Sequence, residues 1–195
     1  MFWCKATSPT MMITRRITTA ILVLLLCAAG SLAQSDRRIE AINKLRAKID
    51  QDIARSEAEP EYSNIYLTEL AVNKNNGSYP AVGVYRPVVK FYYTYGDREK
   101  EPYPNRLIKI VVAVARSDRH EHSEFVFNES EQMVFFLDKK DSVERRMYFA
   151  AGRPIRFEQD RRVLSLRSRA QPARAATIVK EKATLVSIFR RSLGF

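Results

Sequence analysis

The spacing of the apolar residues changes once along this chain, and the change limits the folds that the chain can adopt. Over residues 35–58 apolar side chains recur every three or four positions, from Ile39 to Ile53, which is the period of an amphipathic helix. Pro60 ends this pattern. From Ile65 onward the period is two, and β-branched and aromatic residues dominate. The sequence therefore predicts one helix followed by a run of strands.

Short polar turns separate the strands, and short turns favour antiparallel neighbours. The strand from Leu107 to Ala115 is apolar on both faces except at Lys109, as expected of a central strand. Pro87 lies within the preceding strand and predicts an edge position or a bulge there. We expect an α+β fold: an N-terminal helix packed on a curved antiparallel meander of about six or seven strands, with a C-terminal helix. The strands are expected near residues 65–73, 82–95, 107–116, 124–128, 132–138, 144–150 and 154–159.

The first 33 residues have the pattern of an export signal. Arg15 and Arg16 precede an uncharged apolar run, and Ser31-Leu32-Ala33 fits a cleavage site with small residues. We expect a signal peptide over residues 1–33 and a periplasmic or extracellular location. Whether the signal is cleaved or kept as an anchor stays open. The two cysteines lie within this segment, so residues 34–195 contain neither disulfides nor thiolate metal ligands.

Charge divides the remainder into a neutral body and a basic tail. Residues 34–160, the expected single domain, contain 21 basic and 21 acidic residues. Residues 161–195, called the tail below, contain one acidic residue, Glu181, and nine basic ones. We expect these cations to bind an anionic surface: Arg161, Arg162, Arg167, Arg169, Arg174, Lys180, Lys182, Arg190 and Arg191.

In an envelope, that surface is provided by phospholipid head groups, lipopolysaccharide phosphates or teichoic acids, and an envelope protein is a further candidate partner. Nucleic acid is not expected, because export separates the protein from it. The tail ends in a predicted amphipathic helix whose apolar side contains Ile178, Leu185, Ile188 and Phe189. This side can lie in a membrane interface or dock on the open face of the sheet, and the sequence leaves both alternatives open.

Three other side chains are candidates for a site. His120 and His122 point the same way in an extended segment, so both can reach one zinc or copper ion, with Glu124 or Asp118 nearby. The alternative is a polar turn between strands. Tyr92 lies on the opposite strand face from Phe91 and Tyr93, which makes its ring a candidate for stacking on a ligand. Packing against neighbouring strands is the alternative for that ring.

The run from Arg145 to Phe157 resembles a hairpin motif of small exported bacterial proteins of unknown function, in which a Tyr-Tyr-Phe strand turns at Asn-Gly-Lys and returns as Leu-Ile-Arg-Trp. This chain departs from the motif at Ala151, Pro154 and Phe157. The resemblance covers residues 107–160. It implies a bacterial exported β-meander and no particular activity.

These features favour a non-enzymatic binding or accessory module of the cell envelope. No glycine-rich phosphate loop and no Gly-x-Ser-x-Gly nucleophile turn occurs in the sequence, and we expect no cofactor. The alternative is a small hydrolase or metal-dependent enzyme that uses His120 or His122.

Overall fold

The computed structural model describes residues 36–81, 83–96, 104–168 and 170–194, except the side chain of residue 105. The chain divides into two units, Met1–Glu40 and Ala41–Phe195. In the first unit the structure describes residues 36–40, which are helical. The signal peptide predicted over residues 1–33 lies outside the described residues. The sheet and its cavities belong to the second unit.

Two long helices and nine strands make up the described part of the chain. Helix α1 covers residues 36–58 and is followed by a 3-10 helix, Pro60–Tyr62. Helix α2, Ala170–Ser192, ends the described chain. The strands are β1 Ile65–Ala71, β2 Ser78–Tyr79, β3 Gly83–Tyr95, β4 Pro104–Arg116, β5 His120–Phe127, β6 Met133–Lys140, β7 Val143–Ala150, β8 Arg153–Gln159 and β9 Arg162–Leu164.

The strands form one antiparallel sheet in the order β1-β3-β4-β5-β6-β7-β8-β9, with the short β2 paired to the start of β3. This meander confirms the predicted α+β fold. The sheet exceeds the seven expected strands by β2 and β9, which are too short to show an alternating pattern. Strand β4 is interior, as expected.

Pro87 marks no bulge, and β3 as a whole is not an edge strand; an edge position occurs only locally, where pairing with β1 has ended. Strand β3 is paired on both sides, and its register shifts occur near Tyr93 and Tyr95. Pairing with β1 ends at the next residue, Val88, so the N–H group that proline lacks is not needed for a hydrogen bond to β1. Its carbonyl oxygen still accepts a hydrogen bond from the backbone N–H of Val72, at 3.0 Å.

One face of the sheet, called the α2 face, carries the main core. Phe91, Ile110, Phe125 and Phe157 point to this face and are fully buried. Phe189 of α2 packs on the same cluster, with its ring 5.2 Å from that of Phe91. Successive residues of a strand point to opposite faces of the sheet. The side chains that alternate with these core residues are therefore buried on the opposite face.

The far side, called the α1 face, is covered by α1. The hydroxyl of Tyr148 on β7 donates to Asn43 Oδ1 at 3.3 Å, and that of Tyr92 on β3 donates to Glu57 Oε1 at 3.1 Å. Between them, the guanidinium of Arg46 lies 4.7 Å from the centre of the Phe135 ring. Helix α1 therefore crosses the sheet from β7 to β3, and the sheet lies between two helical layers.

The tail belongs to this fold. Strand β9 pairs with β8, and Ala175, Ile178, Leu185 and Phe189 of α2 are buried in the core. The apolar side of the helix thus docks on the sheet, the second of the two alternatives. Ile188 does not share this role, because it is 39% exposed. No helix among the described residues has both the length and the apolar character needed to cross a bilayer.

Replacing Phe189 by alanine tests the docking of α2. Phe189 is 4% exposed, so we expect Phe189→Ala to lower the free energy of unfolding by about 3–5 kcal/mol. Urea denaturation of residues 34–195 measures it. The adjacent Ile188 provides the control, and Ile188→Ala should cost less than about 1.5 kcal/mol. Equal losses for the two variants would contradict the docked orientation.

Candidate functional site

A chain of charged groups crosses the α1 face. The ammonium group of Lys109 on β4 donates to Asp50 Oδ1 of α1 at 2.6 Å and lies 3.0 Å from Glu124 Oε2 of β5. The other oxygen of Glu124 lies 2.8 Å from Nε2 of His122. Asp50 Oδ2 is 3.8 Å from Nε of Arg46. The network joins α1 to the two central strands.

Burial explains why Lys109 needs two carboxylates. Its side chain is 9% exposed, and a buried ammonium group without partners carries a large desolvation cost. The pKa of Glu124 responds to the same surroundings. Burial acts to raise it, but the hydrogen bond from His122 and the positive charge of Lys109 prevail and lower it to about 2. Glu124 is thus held as a carboxylate, which makes it a fixed negative charge and not a proton donor near neutral pH.

The two histidines lie where strand alternation predicts, on the α1 face of β5. Both line a cavity of about 310 Å³ whose other walls include Arg86 and Val88. The described residues contain no group of three or more His, Cys, Asp or Glu side chains arranged to hold a metal ion. Ser123 points to the opposite face and lies 3.4 Å from Asp138, so β5 places no serine hydroxyl beside His122. The histidine site stays a prediction.

Tyr92 lines a cavity of about 700 Å³ near the C-terminal end of α1. The residue is only 6% exposed, and its hydroxyl donates to Glu57. Burial, this hydrogen bond and the charges of Glu57 and Glu69 raise the pKa of the hydroxyl to about 12. The buried ring leaves little surface for stacking on a ligand, and the cavity is the feature to which the residue contributes.

The predicted anion-binding residues of the tail are dispersed over its surface. Arg174 and Lys182 are half-buried on α2, and Arg174 lies 5.3 Å from the centre of the Phe157 ring. Arg169 lies outside the described residues. The others are exposed: Arg161 and Arg162 around the turn into β9, then Arg167, Lys180, Arg190 and Arg191.

Two parts of the candidate site escaped prediction. The partners of Lys109 were missed, although a lone lysine in an apolar central strand indicates a buried carboxylate nearby. The cavity beside Glu57 and Glu61 was missed as well. No local signal indicates it, because it is assembled from α1, residues 60–64, β1 and β3.

Comparison with known proteins identifies no relative: no family model, no curated protein and no solved structure matches the chain. The resemblance predicted from the β7–β8 hairpin therefore stays a prediction.

The charge of Glu124 should contribute to stability in a defined pH range. A lowered pKa in the folded state gives stabilisation that is complete above the ordinary value of 4.5 and is lost as the pH falls toward about 2. We expect Glu124→Gln to cost about 1–3 kcal/mol at neutral pH, and the difference from wild type to shrink over that range. Urea unfolding at a series of pH values measures it. The exposed Glu129→Gln is the matched control, and a difference for Glu124→Gln that stays constant with pH would contradict the assignment.

The predicted metal site has a direct calorimetric test. If the two histidines bind zinc, titration of residues 34–195 with zinc at neutral pH releases heat that the double variant His120→Ala/His122→Ala does not show. Ser123→Ala, between them but on the other face, should leave the heat unchanged. Absence of heat in the wild-type protein rejects the site.

Proposed function

We propose that this protein is a non-enzymatic binding module of the cell envelope that attaches to an anionic surface through the exposed cations of its tail. The observation that carries the proposal is that these cations form no ion pair with any carboxylate in the described part of the chain. Export through the signal predicted over residues 1–33 places the module in the compartment where such a surface is available.

Many basic side chains of the body have carboxylate neighbours, whereas those of the tail that the structure describes have none; six exposed body cations, used as a control below, also lack such a neighbour. Ten basic side chains of the body lie within 4.0 Å of a described carboxylate: Arg46, Lys90, Lys109, Arg116, Arg119, Lys139, Lys140, Arg145, Arg146 and Arg156. None of the eight tail cations in the described ranges has such a neighbour. The positive charge of the tail is therefore not neutralised within the fold, and it attracts anions from solution.

Docking of α2 supports the same interpretation. Because the apolar side of the helix is occupied by the sheet, the helix is not available for deep insertion into a bilayer. Lys180, Arg190 and Arg191 remain exposed on it. The structure thus favours electrostatic attachment, in which each basic residue close to an anionic membrane contributes about 1 kcal/mol.

The alternative of a hydrolase or metal-dependent enzyme depends on His122. Its 2.8 Å contact with Glu124 is the arrangement of an oriented base. The same carboxylate also contacts Lys109, however, which gives the contact a structural role. We therefore favour the binding module.

Vesicle co-sedimentation tests the proposal with point variants, because removing the whole tail would also remove the core residues of α2. Residues 34–195 should sediment with vesicles that contain anionic phospholipid, remain in solution with neutral vesicles, and be released as salt rises. Glutamine at the six exposed tail cations should weaken binding at least about hundredfold: Arg161, Arg162, Arg167, Lys180, Arg190 and Arg191.

A matched control removes six exposed cations from other parts of the chain and changes the net charge equally: Arg37, Arg38, Lys48, Arg55, Lys74 and Arg153. This variant should bind within about threefold of wild type. Competition by soluble lipopolysaccharide or teichoic acid then distinguishes the sources of the anion. Equal losses in both six-fold variants, or no binding by the wild-type protein, would show that the tail is not a binding site.

A further inference from the structure

Strand β4 carries small side chains where α1 does not cover the α1 face. The helix contacts this strand at Lys109, and further along the same face come Ala113 and Ala115. Ala113 is exposed although β4 lies in the interior of the sheet. A methyl group leaves open the space that a longer side chain would occupy. The two alanines therefore form the floor of a trough in the α1 face.

Larger side chains of the two neighbouring strands form the walls of the trough. The residues opposite its alanines in the register are Val88 and Arg86 on β3, and His122 and His120 on β5. All of these residues line one cavity of about 310 Å³, near the lower limit for sites that bind small organic molecules. Neighbouring strands are about 4.8 Å apart, so the backbones of the two walls are separated by about 10 Å. This space accommodates a planar ring.

Arg86 brings to the trough a positive charge that no described carboxylate neutralises. Its Nη1 donates to Oδ1 of Asn76 at 3.3 Å, its Nε is buried without a hydrogen-bond partner, and no carboxylate of the described residues lies within 4.0 Å. A guanidinium group has five N–H donors in a planar fork that matches a carboxylate. One hydrogen bond to an amide therefore leaves most of this recognition capacity unused.

The acidic groups nearest the trough are already engaged by cations. Glu121 lines the cavity, and its side chain has three basic neighbours within 3.4 Å. These neighbours are Arg116, Arg119 and Lys140. Glu124 contacts Lys109, and its other oxygen holds the ring of His122 at 2.8 Å. An anion that enters the trough thus meets carboxylates whose charge is compensated, and one wall of the trough is fixed in advance.

We propose that the trough binds a small planar carboxylate, with its ring on the alanine floor and its carboxylate at Arg86. The floor and Val88 supply apolar contact, and the imidazole rings of His120 and His122 supply flat surfaces for the ring of the ligand. The guanidinium group binds the carboxylate through paired, charge-assisted hydrogen bonds. This site takes an anion where the two histidines alone predict a metal ion, and it does not depend on the tail.

The probe is indole-3-carboxylate, and indole-3-carboxamide is a neutral control with the same ring. In amide NMR spectra of ¹⁵N-labelled residues 34–195, the carboxylate should cause saturable shifts at millimolar concentrations or below. The shifts should be centred on the backbone N–H groups of Ala113, Ala115 and the strand residues beside them. The carboxamide should bind at least about tenfold more weakly, because it loses the charge-assisted hydrogen bonds.

Two pairs of protein variants test the floor and the charge separately. Ala113→Leu fills the trough without changing any charge and should weaken binding at least about tenfold. Its control is Ala71→Leu, an exposed position on the same face that does not line the cavity. Arg86→Gln should weaken binding about tenfold, whereas Arg153→Gln, an exposed arginine on β8, should not change it. Circular dichroism checks that all four variants remain folded.

Any of four results would overturn the proposal: no saturable shifts with the carboxylate, equal binding of the carboxamide, shifts centred outside the trough, or equal effects within either pair of variants. Glutamine at the six exposed tail cations should leave binding of the probe unchanged, and its loss in that variant would assign the anion to the tail instead. Zinc binding that requires His120 and His122, in a protein that does not bind the carboxylate, would assign the trough to a metal ion.

Discussion

Packing of α2 across one face of the sheet is the contact on which the rest of the structure depends. At one end Phe189 lies against Phe91 and Tyr93, and at the other Arg174 lies over Phe157, so the helix spans the sheet from β3 to β8. Residues 34–195 contain no cysteine, and apolar burial is the main source of stability in such a fold. The same contact turns the apolar side of α2 inward and its cations toward solvent.

In a sheet that is covered by helices on both faces, a charged side chain of a central strand needs a partner of opposite charge. The central strands have no solvent-facing side along much of their length, and Lys109 is therefore accompanied by carboxylates from a neighbouring strand and from α1. Removing one partner from such a set leaves the others buried without compensation. The network thus positions α1 on the sheet and limits which groups at this face can exchange protons.

The strand order of the meander also places acidic and basic residues of the chain near different edges of the sheet. Consecutive strands are neighbours, so the first and last strands of the sheet form its opposite edges. Glu57 and Glu61 accompany the β1 edge, whereas Arg161 and Arg162 lie at the β9 edge. Both edges expose apolar side chains, Leu67 on one and Val163 on the other. The acidic residues near one edge and the basic residues near the other are thus separated by the width of the sheet.

The elements of this fold could be predicted from the sequence because hydrophobic period is a local property. Near Ile65 the spacing of apolar residues changes from every three or four positions to every second position, which indicated a helix followed by strands. The short turns indicated antiparallel order. Strands of two or three residues, such as β2 and β9, are too short for a period to show and appeared only in the structure.

What only the tertiary structure decided is which groups from distant parts of the chain meet. A strand that is apolar on both faces can pack against either helix on either face. The alternating pattern therefore could not predict that Asp50 of α1 contacts Lys109, which is 59 residues away in the sequence. For the same reason the stripe of α2 was equally suited to a membrane and to the sheet. By itself the sequence determined the elements, their order and the basic tail. Packing of the two helices decided that the tail docks, that its described cations have no carboxylate partners, and that a cavity opens beside β1.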